Sequence, residues 1–344
     1  MRTVFLPSLL NRLCEDPGLW VDLQDEGRSI LLDLGDVRHV AARKLLRVER
    51  AVVTHTHMDH FVGFDHLLRL VLGRERELVV TGPPGFLERV AGKIAAYTWN
   101  LIQDYPIRLR AEEVDGEWIR SVLYSGESGM RPVPQPQRRT EGTLHAERLY
   151  TVHGTLLDHG VPVLGVALHE TEHLSVNRDR MEKMGLTPGP WLRDLKEAVR
   201  RCEPGDVPVE ATETEGGVRR FRREALAEAL ILRRAGQRLA YVTDVRFTPE
   251  NVARILPLAA GVDLFVCEAA FLTTEAALAA ERSHLTARQA GWLAREAGAK
   301  RLAPFHLSPR YKGREQEIAD EAAEEFGGPV LILPDEASRG DGGP

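Results

Sequence analysis

Cysteine is scarce in this chain: three in 344 residues, at positions 14, 202 and 267, an odd number set far apart. That spacing excludes a disulfide framework and a CxxC zinc site. No apolar run approaches the ~18–20 residues that span a bilayer. The start, Met1-Arg2-Thr3-Val4-Phe5-Leu6-Pro7, has neither the long apolar stretch nor the small-residue cleavage site of a signal peptide. The expectation is a cytoplasmic protein with no membrane partner. A basic surplus is missing too. Forty-five Lys and Arg against 51 Asp and Glu leave a net charge of −6, which argues against wholesale polyanion binding but allows a local basic face. No internal repeat of fixed short period is visible. At 43 % hydrophobic and 28 % charged residues, the composition is that of a globular protein with one large domain or two ordinary ones.

What the chain does have is a concentration of histidine. Residues 54–60 read Thr-His-Thr-His-Met-Asp-His behind the small apolar run Ala51, Val52, Val53, which packs three imidazoles and a carboxylate into six positions. Imidazole and carboxylate suit zinc and similar divalent ions. A strand followed by a loop lets His55 and His57 serve one position while Asp59 and His60 serve a second, so two metal ions are expected. Such a centre needs about six protein ligands. Three further residues stand at predicted strand ends, where loops carry function on a rigid scaffold. His159 precedes the strand 161–168, Asp244 follows 239–243 and His306 follows 301–305.

Hydrophobic patterning predicts a hairpin from strands 20–23 and 29–34 around a turn at 24–28, then helical spacing over 37–47. A strand at 50–54, a helix at 63–72, a strand at 77–81 and a helix at 86–100 follow. Turn signals at Gly116, Gly126, Gly129 and Gly142 mark a second run of strands over 108–155, with the Pro- and Gln-rich 132–139 as a surface loop. Strands and helices resume at 239–243, 249–256, 263–266, 286–297, 300–305, 313–326 and 329–333. Between them lies a different segment. Helical patterns at 177–184 and 191–201 flank a breaker at 185–190, and a polar stretch with Pro204, Gly205, Gly216 and Gly217 follows. This reads as an inserted helical arm, 172–223, on a catalytic domain made of 1–171 and 224–337, with a flexible tail at 338–344.

These residues resemble the metallo-β-lactamase fold, and further motifs resemble its tRNase Z (ribonuclease Z) branch. That branch's strand-end Gly-Asp-Thr-Arg is similar to Thr243-Asp244-Val245-Arg246, and its His-Glu-Ala-Thr-Phe to Cys267-Glu268-Ala269-Ala270-Phe271. Its His-Ser-Thr-Ala is similar to His284-Leu285-Thr286-Ala287, and its Thr-His-Ile-Ser-Pro-Arg-Tyr to Phe305-His306-Leu307-Ser308-Pro309-Arg310-Tyr311. Gly185-Leu186-Thr187-Pro188-Gly189-Pro190-Trp191, with Leu195-Lys196, is similar to the branch's arm. The resemblance covers residues 29–335 and implies an α+β protein, an αββα sandwich of two sheets with helices outside and an inserted arm. It implies one zinc held by His55, His57 and His159, another by Asp59, His60 and His306, and Asp244 bridging. Attack by a metal-activated water that Asp59 orients or deprotonates is implied as well. His284, held by Glu268, resembles the acid that protonates the leaving oxygen. Removal of the 3′ trailer from tRNA precursors by a homodimer is the implied activity, with Arg246 and Arg310 as substrate-binding candidates.

Other readings stay open beside these. Manganese or iron also suit such donors. Arg310 has an ion pair as its alternative, and His284 an ordinary surface or helix-cap role. Asp33 and Asp36 read as turn residues supporting the ligands, and His66 as a half-buried packing residue. Two departures from the branch favour a small-molecule phosphodiesterase or lactonase as the alternative function. Phe5-Leu6-Pro7-Ser8-Leu9-Leu10-Asn11 replaces a glycine-rich opening, and Met58 replaces a glycine, which places bulk beside the metals. Residues 174–223 hold eleven basic and nine acidic side chains, a mild surplus for a phosphate tracker, so a helical pair packed on a second subunit is the arm's alternative.

Overall fold

The structure is a computed structural model that describes residues 4–336, so the expected flexible tail, 338–344, lies outside the described residues. An eight-stranded sheet takes its strands in chain order: β1 (Phe5–Leu9), β2 (Leu19–Leu23), β3 (Arg28–Leu32), β4 (Val48–Val52), β5 (Glu77–Gly82), β6 (Arg108–Val114), β7 (Trp118–Ser125) and β8 (Val133–Arg139). Strands β2 and β3 form the expected hairpin, in which Asp25 and Gly27 both adopt φ 65°. From β3 to β6 the pairing is parallel, so Asp33 and the histidine motif emerge at the same edge, beyond the carboxyl ends of β3 and β4.

Helices α1 (Ala42–Leu45), α2 (Met58–Phe61), α3 (Phe64–Val71) and α4 (Phe86–Ala95) make the connections. Two expectations change here. Helical spacing over 37–47 yields only the four residues of α1. Asp36 Oδ1 accepts the Arg38 N–H at 2.9 Å, a local turn that competes with helix until Ala41. Residues 132–139 are not a loop but contain β8, paired antiparallel with β7 at the sheet's edge. An edge strand tolerates Pro134 and Pro136 because one row of its backbone groups has no neighbour to serve.

The second sheet begins with β9 (Thr143–Ala146), β10 (Tyr150–Asp158) and β11 (Pro162–Glu170). The chain then enters a compact unit formed mainly by His169–Gln237 with Ala146–Thr151. Within it β12 (His173–Val176) leads to α5 (Arg178–Lys183), which Asn177 caps, and α6 (Pro190–Arg200). The polar stretch after them holds a hairpin of β13 (Pro208–Thr212) and β14 (Val218–Arg222), then α7 (Arg223–Leu230) and β15 (Ile231–Arg234), which pairs back onto β12. Met181, Leu186, Trp191, Leu195, Leu226 and Leu230 give the unit its own small core. It extends past the 172–223 expected for the arm, because β15 is needed to pair β12.

The second sheet resumes with β16 (Arg238–Val242), α8 (Pro249–Leu258), β17 (Leu264–Glu268), α9 (Ala276–Arg282), α10 (Ala287–Glu296), β18 (Leu302–Phe305) and α11 (Glu315–Phe326). Its order is β18-β17-β16-β11-β10-β9, with β16, β17 and β18 parallel. Alternation along the strands separates the layers. Trp20, Leu31, Ala51 and Val80 pack with α3 and α4, while Ala240, Val242, Phe265 and Cys267 pack with α8, α10 and α11. The residues between them, such as Val21, Ile30, Val52, Leu164, Val166 and Tyr241, are equally buried and face the opposite sheet. Direct bonds join the two sheets: Tyr241 Oη donates to Asp33 Oδ2 at 2.9 Å and the Leu164 N–H to Thr54 O at 2.9 Å. The larger unit is therefore an αββα sandwich, and 329–333 contributes a single bridge, Leu302 to Val330.

Candidate metal centre

Every predicted ligand lies shortly beyond a strand end, on a loop or, for Asp59 and His60, in the short helix α2. Strand β4 stops at Val52, Val53 and Thr54 stay buried, and His55 turns inward at 1 % exposure. His57 then precedes α2, whose first turn carries Asp59 and whose last carries His60, fully buried. The start of α3 is pinned by close approach. The Gly63 N–H donates to Leu34 O at 2.8 Å, and a Cβ on Gly63 would sit 2.2 Å from Gly35 O. Across the sandwich, the parallel β16, β17 and β18 deliver Asp244, Glu268 and His306 at one edge. His159 follows β10.

The loops are held in uncommon backbone conformations. Among the described residues, seven non-glycine positions have positive φ, and four of them are Asp33 (65°), Asp244 (48°), Ser283 (63°) and His306 (53°). Such conformations cost energy and persist where surrounding contacts over-determine them.

These loops bring all seven predicted ligands together. One ligand atom each from His55, His57, His159 and Asp244 lies within 4.8 Å of the others, as do atoms of Asp59, His60 and His306. Asp244 stands between the groups. Its Oδ2 is 3.6 Å from His55 Nε2 and 3.4 Å from His159 Nε2, and its Oδ1 is 3.4 Å from His60 Nε2 and 2.8 Å from His306 Nδ1. Asp59 Oδ2 lies 3.6 Å from His60 Nε2 and 3.5 Å from His306 Nε2. Two donors bound tetrahedrally at zinc distances stand ~3.3 Å apart, so most of these separations match a shared cation better than a direct hydrogen bond.

The buried nitrogens make the same point. His60 donates Nδ1–H to Asp33 Oδ2 at 3.0 Å, and His159 donates Nδ1–H to Ser283 O at 2.8 Å. His55 Nδ1 lies 3.2 Å from Thr54 Oγ1. These contacts orient the rings from behind and leave Nε2 pointing inward. The Nε2 atoms of His55 and His60 are buried without any hydrogen-bond partner. An unsatisfied buried polar atom is costly, and a divalent cation in each group would satisfy the Nε2 atom that faces it. The residues present therefore fit a metal.

The electrostatics also call for positive charge. Burial opposes ionisation of Asp244, yet the His306 and His60 imidazoles beside it hold it well below the usual carboxylate range. Against the same penalty, His306 and His60 bring Asp59 down to about 2. Burial would lower His306, but Asp244 and Asp59 carry it up to about 10. His55 goes the other way, to about 2, because burial and the neighbouring His60 both disfavour its protonation.

Against this centre sits the predicted acid. His284 Nδ1 donates to Glu268 Oε2 at 2.8 Å, and its ring centroid is 5.0 Å from that of His159 and 5.7 Å from that of His306. Glu268 Oε1 accepts the Val245 N–H at 2.7 Å, so both oxygens of this fully buried carboxylate are in use. Burial disfavours charge on His284, but Glu268 raises its pKa above the ordinary imidazole value.

The remaining candidates fall less centrally. Arg246 pairs with Asp158 Oδ2 at 3.0 Å and donates Nε–H to Ser283 Oγ at 3.0 Å. Arg310 pairs with Glu275 and lies over the Phe271 ring. Met58 does not crowd the centre, since it turns outward with 81 % exposure. Asp33 is fully buried and accepts from the Thr54 N–H and hydroxyl, His60 and Tyr241. Tyr241, Ser283 and Asn251, which also brace these loops, had no motif to reveal them.

Comparison with known proteins agrees with the geometry. A beta-lactamase superfamily domain model matches residues 193–307, the stretch carrying Asp244, Glu268, His284 and His306. Ribonuclease Z of Deinococcus radiodurans is 31 % identical over 89 % of this chain and 90 % of that protein. Ribonuclease Z of Thermobifida fusca is 31 % identical over 91 % and 86 %. The short form of human tRNase Z, at 15 % identity, superposes with a TM-score of 0.54 over 96 % of each chain and so shares the fold. With this extent of identity to curated ribonucleases Z, the chain belongs to the ribonuclease Z branch of the metallo-β-lactamase superfamily and is a metal-dependent hydrolase of the tRNase Z type.

Proposed function

We propose that this chain is a zinc-dependent endoribonuclease that removes the 3′ trailer from tRNA precursors with two metal ions. The observation that carries the reading is Asp244, placed between two groups of ligand atoms with the Glu268–His284 pair against both. His55, His57 and His159 would hold one ion, Asp59, His60 and His306 the other, and Asp244 would give an oxygen to each. When bound, such ions polarise a phosphoryl oxygen and make water acidic enough to act as nucleophile near neutral pH.

The side chains do the rest. Asp59, whose Oδ2 lies 3.6 Å from His60 Nε2 and 3.5 Å from His306 Nε2, would orient or deprotonate the attacking water. Glu268 occupies Nδ1 of His284, which leaves Nε2 to carry the proton given to the leaving oxygen. The Glu268 carboxylate favours that proton by raising the His284 pKa above the ordinary imidazole value. In this reading the His169–Gln237 unit is the arm that grips the body of the RNA, the working form is a homodimer, and the enzyme shares the cytoplasm with its substrate.

Purified protein loaded with zinc should cut a trailer-bearing tRNA precursor once, at the mature 3′ end. Failure to cut it would overturn the substrate assignment. One feature favours the second reading, a small-molecule phosphodiesterase: residues 5–9 are strand β1, with Pro7 inside it, where the branch carries a glycine-rich turn. Turnover of a chromogenic phosphodiester without RNA cleavage would select that reading, and turnover of a lactone alone would exclude both.

A further inference from the structure

Asn251 has no part in the chemistry above, yet it is 2 % exposed and every hydrogen-bonding group of its carboxamide but one lone pair is engaged. It stands in the first turn of α8, three residues after Thr248, which caps the helix by accepting the Asn251 N–H. The helix is therefore already capped, and asparagine is a poor helix former. What the side chain does is join two loops. Its Oδ1 accepts the Asp158 N–H at 2.9 Å, and its Nδ2 donates to Asp158 O at 2.9 Å and Arg246 O at 2.8 Å. Asp158 precedes His159, and Arg246 lies two residues beyond Asp244.

The circuit closes through Arg246. Its guanidinium pairs with Asp158 Oδ2 and donates to Ser283 Oγ, both at 3.0 Å, and Ser283 O in turn accepts Nδ1–H of His159 at 2.8 Å. Ser283 also adjoins His284. Four residues thus lash together the loops that carry His159, Asp244 and His284, and two of the lashed positions, Asp244 and Ser283, have positive φ.

We propose that Asn251 is a positioning residue, the hub of an Asn251–Asp158–Arg246–Ser283 clamp that sets His159 and Asp244 at the spacing for the ion of the His55, His57, His159 and Asp244 group. Arg246 acts here as part of the clamp rather than as a phosphate contact. The inference rests on the reading that this group holds a metal. Partners that orient metal ligands typically contribute 10- to 100-fold in affinity or activity.

The test is titration of metal-free protein with cobalt or zinc against a chromophoric chelator, beside the melting temperature of the metal-free protein and phosphodiester turnover. Asn251→Ala and Asn251→Asp should weaken one of the two metal equivalents by about 10- to 100-fold and the other, which shares only Asp244 with the clamp, by clearly less. Excess metal should then restore turnover. Thr248→Ala, which removes the cap of the same helix but no bond of the clamp, should lower the melting temperature alone. Wild-type affinity in both Asn251 variants overturns the proposal. So does an equal loss of the same ion in Thr248→Ala, which would assign the effect to helix stability. If the Asn251 variants do not fold, Arg246→Gln at a partly exposed position must weaken the same ion, and unchanged affinity there also overturns the clamp. Wild-type protein that takes up no divalent ion sinks the metal reading itself, and this is seen before any variant is compared.

Discussion

Asp244 shows how much a single position carries. It combines a strained backbone, complete burial and contacts through both oxygens. Its identity was legible because a carboxylate directly after an apolar strand is an unusual place for charge. Asp33 was legible as a turn residue supporting the ligands but not by its partners, because its four donors come from Thr54, His60 and Tyr241, the last on the other sheet. Asp33→Asn would turn an amide toward those donors, so metal affinity should fall about 10- to 100-fold, as measured by chelator competition. Unchanged affinity would show that Asp33 only supports the fold. The proposed acid, His284, has its own signature. Glu268 raises the His284 pKa, so His284 stays protonated to higher pH than an isolated imidazole, and activity that needs the proton declines only as pH rises through that elevated value. Glu268→Gln removes the raising charge, and the alkaline limb of kcat/KM should move to lower pH. A limb that stays in place would remove His284 from the role of acid.

Among the elements, the parallel runs matter most. Because β16, β17 and β18 point the same way, three residues far apart in the chain, Asp244, Glu268 and His306, arrive at one edge. Periodicity locates each strand but says nothing about its direction, so this convergence was available in advance only through family resemblance. Helix α1 and strand β8 depart from their sequence patterns for local reasons. Asp36 captures Arg38 before a helix can start, and prolines that signal a loop also suit an edge strand. The junction of α2 and α3 offers a direct test of element positioning. Gly63 has an ordinary helical φ of −71°, so alanine is acceptable to the backbone, but its Cβ would press on Gly35 O. Gly63→Ala should cost about 1–3 kcal/mol in thermal or denaturant unfolding, the usual range for overpacking. A stability equal to wild type would mean that the 34–35 loop yields freely.

At the scale of the whole molecule, the net charge of −6 and the RNA substrate proposed for it need reconciling. The His169–Gln237 unit is the place to look, yet many of its arginines are already paired: Arg219 with Glu213, Arg220 with Glu210, and Arg223 with Glu203. Arg220 and Arg222 nevertheless keep 76 % and 69 % of their side chains exposed. If they bind phosphates, Arg220→Ala with Arg222→Ala should raise KM for a tRNA precursor severalfold and reduce the salt slope of binding by about one for each phosphate that is no longer neutralised. Turnover of a small phosphodiester should be unaffected, and an unchanged KM would turn attention to this unit as a subunit contact. The chain's residues by themselves pointed to metal chemistry, because three imidazoles and a carboxylate within residues 55–60 restrict what a site can do, while the Glu268–His284 pair came through the family resemblance. Tertiary structure alone decided what the bracing side chains touch. Asp33, Tyr241, Ser283 and Asn251 act through hydrogen bonds between segments remote in sequence, and such bonds leave no spacing to read along the chain.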